Sequence, residues 1–336
     1  MGFKDIRKLL KMIHQSKKIT ALLALIGTFS LHAQHTDIIN SNRPGESQSA
    51  FSVGKTVIQA ETGVYGTTED HALLETKTAG IGMDLALRYG AFFEQLEFNL
   101  EMKYQWDELQ TPFQSQGRND FKKLILGAKY LVYDPNKNYV EKRNIHSWKA
   151  NQKFKWRQLI PAVGVYAGAN INFNSIYLPE NESSISPKLM ILTQNQFSGG
   201  FVFITNIIAD RITSDYPSYS YIATLTKGFT ERWSGFIENQ GIKSDFYSDC
   251  LVRLGSAYLI RDNIQIDASF GGSFKDTPSI FVAGIGLSWR FDKNYKPVII
   301  RSGKEDGKDK DKDKKDKKEK TKKRKDGVET IEVEKP

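Results

Sequence analysis

Charged side chains recur at every second position in several segments whose intervening residues are apolar. In residues 95–107, for example, Glu97, Glu101 and Lys103 alternate with leucine, methionine and aromatic side chains. Acidic and basic residues are similarly numerous at such positions, and charges removed from water need partners of opposite sign. The candidate interior residues that share this placement are Glu61, Asp84, Arg88, Glu97, Glu101, Lys103, Glu238, Arg253, Asp267 and Arg290.

Two interpretations of this charged face remain open from the sequence. The charges could pair with one another, fill a narrow interior and maintain its shape. They could instead line a polar path that selects small zwitterionic or amphiphilic solutes. The residue types alone favour neither interpretation.

Histidine, the most common general base, is poorly placed for catalysis in this chain. His71 lies in a predicted loop, and no histidine lies in a predicted strand, so a serine nucleophile on such a strand would lack its base. The remaining acid–base arrangement is His71 beside Asp70 or Glu69. No metal-ligand spacing, phosphate loop or dinucleotide fingerprint is present. We therefore expect no enzyme activity, no metal site and no cofactor.

The alternation predicts strands long enough to cross a membrane. Apolar residues occupy every second position from Leu96 to Trp106, and a tilted strand needs about 9 to 11 residues to cross a bilayer. The expected fold is therefore all-β, a transmembrane antiparallel β-barrel whose apolar face meets lipid. Similar segments predict twelve strands, near 56–65, 76–90, 95–107, 120–133, 158–173, 186–195, 199–208, 219–229, 232–240, 249–260, 263–273 and 279–291.

The formal net charge of +9 belongs to the two ends of the chain. Residues 1–34 carry +5 and residues 301–336 carry +4, so the body between them is neutral and gives no basis for nucleic-acid binding. Residues 1–33 join a basic stretch to an apolar run, which predicts a cleaved signal peptide. Residues 292–336 are rich in Lys and Asp, which predicts a disordered tail.

The barrel interpretation assigns the other segments to sides of the membrane. Residues 34–55 are expected as an N-terminal periplasmic segment, 56–291 as the barrel and 292–336 as a periplasmic tail, since an even strand number leaves both ends on one side. Residues 107–119 are among the predicted outer loops. Residues 134–157 carry seven basic and two acidic residues where a short periplasmic turn is expected. They are either a tolerated insertion or a basic patch that contacts lipid headgroups or a partner protein.

Residues 41–64 resemble the opening of a known family. The residues that carry the resemblance are Arg43, Pro44, Ser47, Ser49, Val53, Gly54, Gln59, Glu61 and Gly63, and it continues at Arg88, Tyr89 and Gly90. The family is the MetA-pathway phenol-degradation family, a transporter-like outer-membrane family. The resemblance implies a small β-barrel of mostly unassigned substrate. Asn42, where the family usually has Asp, the 134–157 insertion and the Lys-rich tail depart from the family pattern.

Two functions follow as expectations. The barrel pattern, the mixed-charge interior and the resemblance favour a channel or transporter in the cell outer membrane for small amphiphilic or aromatic solutes, in contact with outer-membrane lipids. The additions at 134–157 and 292–336 favour the alternative, a structural or accessory barrel subunit of an outer-membrane protein assembly or secretion complex, which would bind other outer-membrane or periplasmic proteins through these two segments.

Overall fold

A closed barrel of twelve antiparallel strands forms the body of the protein. The computed structural model describes residues 39–137, 147, 155–178, 182–245 and 247–292. Each strand pairs with its neighbours in the chain, and β1 pairs with β12. The predicted fold class and strand number are confirmed. The strands are β1 (Ile58–His71), β2 (Thr76–Gly90), β3 (Leu96–Gln110), β4 (Ser115–Tyr133), β5 (Ala162–Ile171), β6 (Ile185–Phe197), β7 (Phe201–Asp210), β8 (Ser218–Gly228), β9 (Trp233–Ser244), β10 (Ser248–Arg261), β11 (Ile264–Ser273) and β12 (Ser279–Phe291).

The described residues contain one short helix besides the barrel. It is a 3-10 helix, Trp156–Leu159, just before β5. No helix in the described ranges is long and apolar enough to span a bilayer.

Alternation along the chain produces a wall with two different faces. In β1, Gln59 and Glu61 are buried, whereas Ile58 and Val64 are each 48% exposed. In β3, Glu97 is fully buried and the next residue, Phe98, is exposed. The exposed face is apolar and the buried face is polar, which is the reverse of a soluble sandwich and suits a wall surrounded by lipid.

The strands β6 and β7 have apolar residues on both faces. Met190 and Leu192 are buried on the interior face of β6, while Ile191 between them is exposed. Ile208 and Ile207 show the same arrangement on β7. This explains why the sequence has continuous apolar runs here instead of a clean alternation.

One predicted outer loop, 107–119, is wrong. β3 continues to Gln110 and β4 begins at Ser115, so this connection is a tight hairpin. The backbone N–H of Thr111 donates to the Gln114 carbonyl at 2.8 Å, and the Gln114 N–H donates to Thr111 Oγ1 at 3.1 Å. Strand pairing needs only backbone hydrogen bonds, so these strands extend beyond the band of apolar outward residues that predicted them.

Several predicted segments lie largely outside the described residues. These are the signal peptide 1–33, the tail beyond Asp292 and most of the 134–157 insertion, and the predictions made for them stay predictions. At the end of the insertion, Arg157 donates to the Pro135 carbonyl at 2.6 Å.

A charge placed on the outward face tests the membrane orientation of the wall. Ile285 lies at the middle of β12 and its side chain is exposed. We expect Ile285→Arg to destabilise the barrel in liposomes by about 2 to 4 kcal/mol, because it places a cation at the bilayer midplane. Thr68→Arg, outward and near the far end of β1, should cost about 1 kcal/mol or less. Urea titration of the folded fraction on unheated gels measures both, and equal effects would contradict the orientation.

Candidate functional site: a segment inside the barrel

The segment that precedes β1 lies inside the barrel. Residues 39–55, here called the plug, contact strands on opposite sides of the ring. The backbone N–H of Val53 donates to Glu97 on β3 at 2.9 Å. The backbone N–H of Glu46 donates to Glu238 on β9 at 3.1 Å. Because β3 and β9 face one another across a twelve-stranded ring, the plug crosses the interior.

This placement corrects one prediction. The sequence predicts residues 34–55 as an N-terminal periplasmic segment separate from the barrel at 56–291, but its described part, 39–55, lies in the barrel interior. The physical reason is hydrogen bonding, because the plug has no strand ladder of its own and its polar backbone is satisfied by inward side chains. The Gln48 N–H, for example, donates to Asn206 on β7 at 2.6 Å, and Asn206 donates back to the Gln48 carbonyl at 2.9 Å.

Arg43 joins the plug to two strands. Its Nη1 lies 2.6 Å from Asp84 on β2, and its Nη2 lies 3.3 Å from Asp267 on β11. Gly63 and Gly286 on the inner wall make room for this guanidinium, since a Cβ at either position would lie within 2.3 Å of it. Two glycines and two carboxylates therefore form a site that fits one arginine.

Glu46 supplies the opposite charge three residues later. Its carboxylate forms an ion pair with Lys103 on β3. Burial acts to raise the pKa of Glu46, but Lys103, Arg253 and Lys123 outweigh it and bring this pKa well below its ordinary value of 4.5. The plug therefore presents a cation and an anion, and each meets its counter-charge on the wall.

A second group of charges lies nearer the start of β1. Arg88 donates to Glu97 at 2.8 Å and to Glu61 at 3.0 Å, and Lys129 lies 3.2 Å from Glu97. All four side chains are at most 1% exposed. Two cations and two anions balance one another, which is what buried charges require.

The same two cations bind carbonyl groups of the plug. Lys129 Nζ donates to the carbonyls of Ser49 and Phe51 at 3.0 and 2.9 Å, and Arg88 donates to the carbonyl of Asn40 at 2.8 Å. These contacts hold both ends of the plug against β2 and β4. The plug is thus attached by side chains of the wall rather than by strand pairing.

The ten predicted interior residues all face the barrel interior. Eight of them contact the plug directly: Glu61, Asp84, Arg88, Glu97, Glu101, Lys103, Glu238 and Asp267. Arg253 acts through Glu238, to which it donates at 2.9 Å. Arg290 is buried, and its Nε lies 3.8 Å from Asp292.

Four residues of the predicted N-terminal family motif, Arg43, Pro44, Gly54 and Gln59, also belong to this contact region. Arg43 and Pro44 are joined by a cis peptide bond, and Gln59 Nε2 donates to the Asn40 carbonyl at 3.1 Å. Gly54 has a φ of 95°, which lets the chain reverse from the plug into β1. A Cβ on Gly90 would lie 1.7 Å from the Gly54 carbonyl oxygen, so Gly90 permits this close approach.

Sequence reasoning missed the plug itself and its polar contacts Asn206 and Gln194. Ser49 Oγ donates to Gln194 at 2.7 Å. The available signal was the family motif, because it begins at residue 41, before the first strand, and a motif shared outside the strands has to be explained by contacts of its own.

Within the described ranges, a cavity lies on each side of the plug. One, of about 420 Å³, lies at the end where β1 begins, here called the near end, and the other, of about 270 Å³, lies toward the far end. Asn42, Arg43 and Gly45 line both cavities. The plug is therefore a thin partition between two spaces.

The interior wall also has an apolar side. Inward residues of β4–β8 form a buried apolar cluster against Ala50 and Phe51 of the plug, with Ile125, Leu131, Ala162, Tyr166, Met190, Leu192, Ile208 and Ile222. The charge pairs described above lie mainly on β1–β4 and β9–β11. A solute inside this barrel therefore meets a charged face and an apolar face.

No catalytic arrangement is visible at the candidate acid–base pair. β1 extends through His71, so the side chains of Asp70 and His71 project to opposite faces, whereas those of Glu69 and His71 project to the same face. Asp70 pairs with Lys77 at 2.8 Å, and His71 Nδ1 accepts from the Leu74 N–H at 3.3 Å. Within the described ranges, no group of three His, Cys, Asp or Glu side chains could bind a metal ion.

A family model described as "Putative MetA-pathway of phenol degradation" matches residues 41–291, which include most of the plug and the whole barrel. The chain belongs to this family. The resemblance predicted from the motif residues is thereby confirmed. No curated protein matches the chain.

The fold of this chain is also similar to those of solved structures. The chain is similar to an outer-membrane channel from Pseudomonas putida F1, with 12% identity, a TM-score of 0.50 and coverage of 75% of this chain and 100% of that one. It is also similar to the translocator domain of the autotransporter NalP from Neisseria meningitidis (10% identity, TM-score 0.44, 74% and 90% coverage) and to the KdgM porin (10%, 0.42, 69% and 99%). The fold is that of an outer-membrane β-barrel.

Removing the arginine of the plug should leave two carboxylates without their partner. We expect Arg43→Ala to lower the free energy of unfolding by about 3 kcal/mol, because Asp267 is fully buried. Lys77→Ala is the matched control, since it breaks an exposed ion pair and should cause no measurable change. Denaturant midpoints in liposomes measure both. An unchanged midpoint for Arg43→Ala would contradict the role of Arg43 as an anchor.

Proposed function

We propose that the protein is an outer-membrane channel for small amphiphilic solutes and that the plug closes its lumen. The observation that carries this proposal is a cavity on each side of the plug, with Asn42, Arg43 and Gly45 lining both cavities. A barrel whose interior residues served only to pack it would not need a cavity on each side of the plug. The shared fold with the Pseudomonas putida channel supports the proposal.

The contacts of the plug would allow it to move and open the lumen. The wall is closed by its own strand pairing, including β1 with β12, and the plug adds no strand to it. Displacing the plug would break side-chain contacts such as Arg43 with Asp84 without breaking the ladder of the wall. Closed and open states would then differ in the position of one segment, which is a common form of two-state switching.

The solute class follows from the two faces of the interior. The apolar cluster on β4–β8 can contact an aromatic or aliphatic body, whereas the charged face on β1–β3 can contact a polar group. An amphiphile satisfies both faces at once. A purely apolar solute would leave the charged face without water or a partner, which is unfavourable.

Single-channel recording tests the closed lumen. In planar bilayers we expect the wild type to conduct weakly and Arg43→Ala to conduct severalfold more, because loss of the Asp84 and Asp267 contacts frees the plug. Lys77→Ala should behave as the wild type, since Lys77 is exposed and does not contact the plug. Absence of conductance from both the wild type and Arg43→Ala, in protein that is folded on unheated gels, would contradict a channel.

Closure should persist under mildly acidic conditions. The pKa of Glu46 is lowered in the folded protein, so the stability contributed by its carboxylate is present above its ordinary pKa of 4.5 and is lost only as the pH falls through the lower folded value. We expect the closed state to be unchanged between pH 8 and about pH 5 and to weaken only at lower pH, as Glu46 becomes protonated. Glu46→Gln should remove this dependence, as seen by conductance over that range. Opening of the wild type between pH 7 and 5 would contradict it.

We infer further that the protein is not an enzyme and that the tail beyond residue 292 lies in the periplasm with the chain start. The support for the first is that Asp70 pairs with Lys77 and His71 Nδ1 accepts from the Leu74 N–H, and for the second it is the even number of strands. Binding of partner proteins through 134–157 and 292–336 stays a prediction.

A further inference from the structure

A buried lysine that makes no direct ion pair with any described residue lines the far-end cavity. Lys188 lies on the inward face of β6 and is 7% exposed. Among the described residues, Lys188 forms no hydrogen bond and no ion pair within 4 Å. Each of the other lysines that line this cavity, Lys103 and Lys123, has a carboxylate partner, Glu46 and Glu101 respectively. A buried ammonium needs a counter-charge or water, so Lys188 can accept a partner from outside the protein.

A carboxylate stands directly beside this lysine. Asp210 on β7 is the register partner of Lys188 and lines the same cavity. Its Oδ1 accepts from Asn170 Nδ2 at 2.7 Å and from the Arg211 N–H at 3.0 Å. Its Oδ2 accepts no hydrogen bond from the described residues. These two bonds orient the carboxylate, and Oδ2 remains able to accept a donor from a ligand.

One side of the cavity wall, on β6–β9, is apolar next to this pair. On β6, Met190 is the next inward residue from Lys188 toward the plug, and on β7, Ile208 is the next inward residue from Asp210. Both are buried. Ile222 and Ile242 on the neighbouring strands line the same space. A molecule whose charged groups meet Lys188 and Asp210 would therefore place an apolar group toward the plug. The volume of about 270 Å³ suits a ligand smaller than a typical drug.

We propose that the far-end cavity binds an α-amino acid with an apolar side chain, whose carboxylate pairs with Lys188 and whose ammonium pairs with Asp210. This proposal rests on the proposed function only in that the solute reaches the lumen from the far end.

A zwitterion fits this site better than a simple anion. A carboxylate bound at Lys188 alone would lie close to the carboxylate of Asp210, and like charges at such a distance are unfavourable. The ammonium of an amino acid lies between the ligand carboxylate and the Asp210 carboxylate, and it offsets the repulsion between them. The other charges that line the cavity are already paired, as with Arg43 and Asp84, so a ligand of zero net charge leaves the balance of the cavity unchanged.

Calorimetric titration of the full chain in detergent tests the site with three probes of one shape. These are leucine, 4-methylpentanoate, which lacks the ammonium, and 3-methylbutylamine, which lacks the carboxylate. We expect leucine to bind roughly tenfold to hundredfold more tightly than either analogue, because each analogue loses one charge-assisted contact. Equal or tighter binding of 4-methylpentanoate by the wild type would overturn the proposal, as would the absence of leucine binding.

Two variants change the ligand preference in opposite directions. Lys188→Gln should weaken leucine binding roughly tenfold or more, so that leucine and 3-methylbutylamine bind with equal affinity. Asp210→Asn should also weaken leucine binding, so that leucine and 4-methylpentanoate bind with equal affinity. Lys188→Arg should retain leucine binding, and Lys77→Gln, an exposed lysine, is the control. Leucine affinity that is unchanged in both Lys188→Gln and Asp210→Asn would overturn the proposal.

Binding and conduction separate this proposal from the proposed function. A protein that conducts but does not bind leucine overturns the amino-acid site alone. A protein that binds leucine, with the expected response of the two variants, but never conducts after Arg43→Ala overturns the channel alone.

Discussion

The ion pairs of Arg43 with Asp84 and Asp267 set the arrangement of the interior. Inside a narrow barrel a carboxylate has little water, so each one needs a cation close by. The wall supplies some of its own cations, as with Arg88 and Glu97, but the carboxylates of β2 and β11 meet a guanidinium that belongs to no strand. The plug is therefore a source of charge for the wall as well as an obstacle in it.

Two kinds of bonding coexist in this protein and have different consequences. The wall depends on backbone pairing around a closed ring, which leaves no edge and resists local opening. The plug depends on side chains, many of them charged, whose contacts can be exchanged for water or solute. The plug contacts both parts of the amphiphilic interior. Ala50 and Phe51 pack on the apolar cluster, and Arg43 and Glu46 form ion pairs with the charged face.

Most of the wall could be predicted from the sequence, and most of the plug could not. Period-two alternation is a local property, so the strands and the inward direction of Glu61 or Glu97 follow from neighbouring residues. The partner of a charge is not local. Arg43 and Asp267 are 224 positions apart and meet only because β1 closes on β12. A polar segment without periodicity has the same pattern whether it is a linker outside the barrel or a partition within it, so the residue pattern of 39–55 does not indicate its position. In β6 and β7, both faces are apolar, so the sequence pattern does not show which residues point inward.

The reversal between the plug and β1 limits how the plug can move. Gly54 and Thr56 both have positive φ, and the Val57 N–H donates to the Gly54 carbonyl at 3.3 Å, so the plug turns back on the first strand within a few residues. A segment on so short a connection cannot diffuse away when its contacts break. It stays at a high effective concentration beside its own binding site, and rebinding is an intramolecular event whose rate is independent of the amount of protein in the membrane.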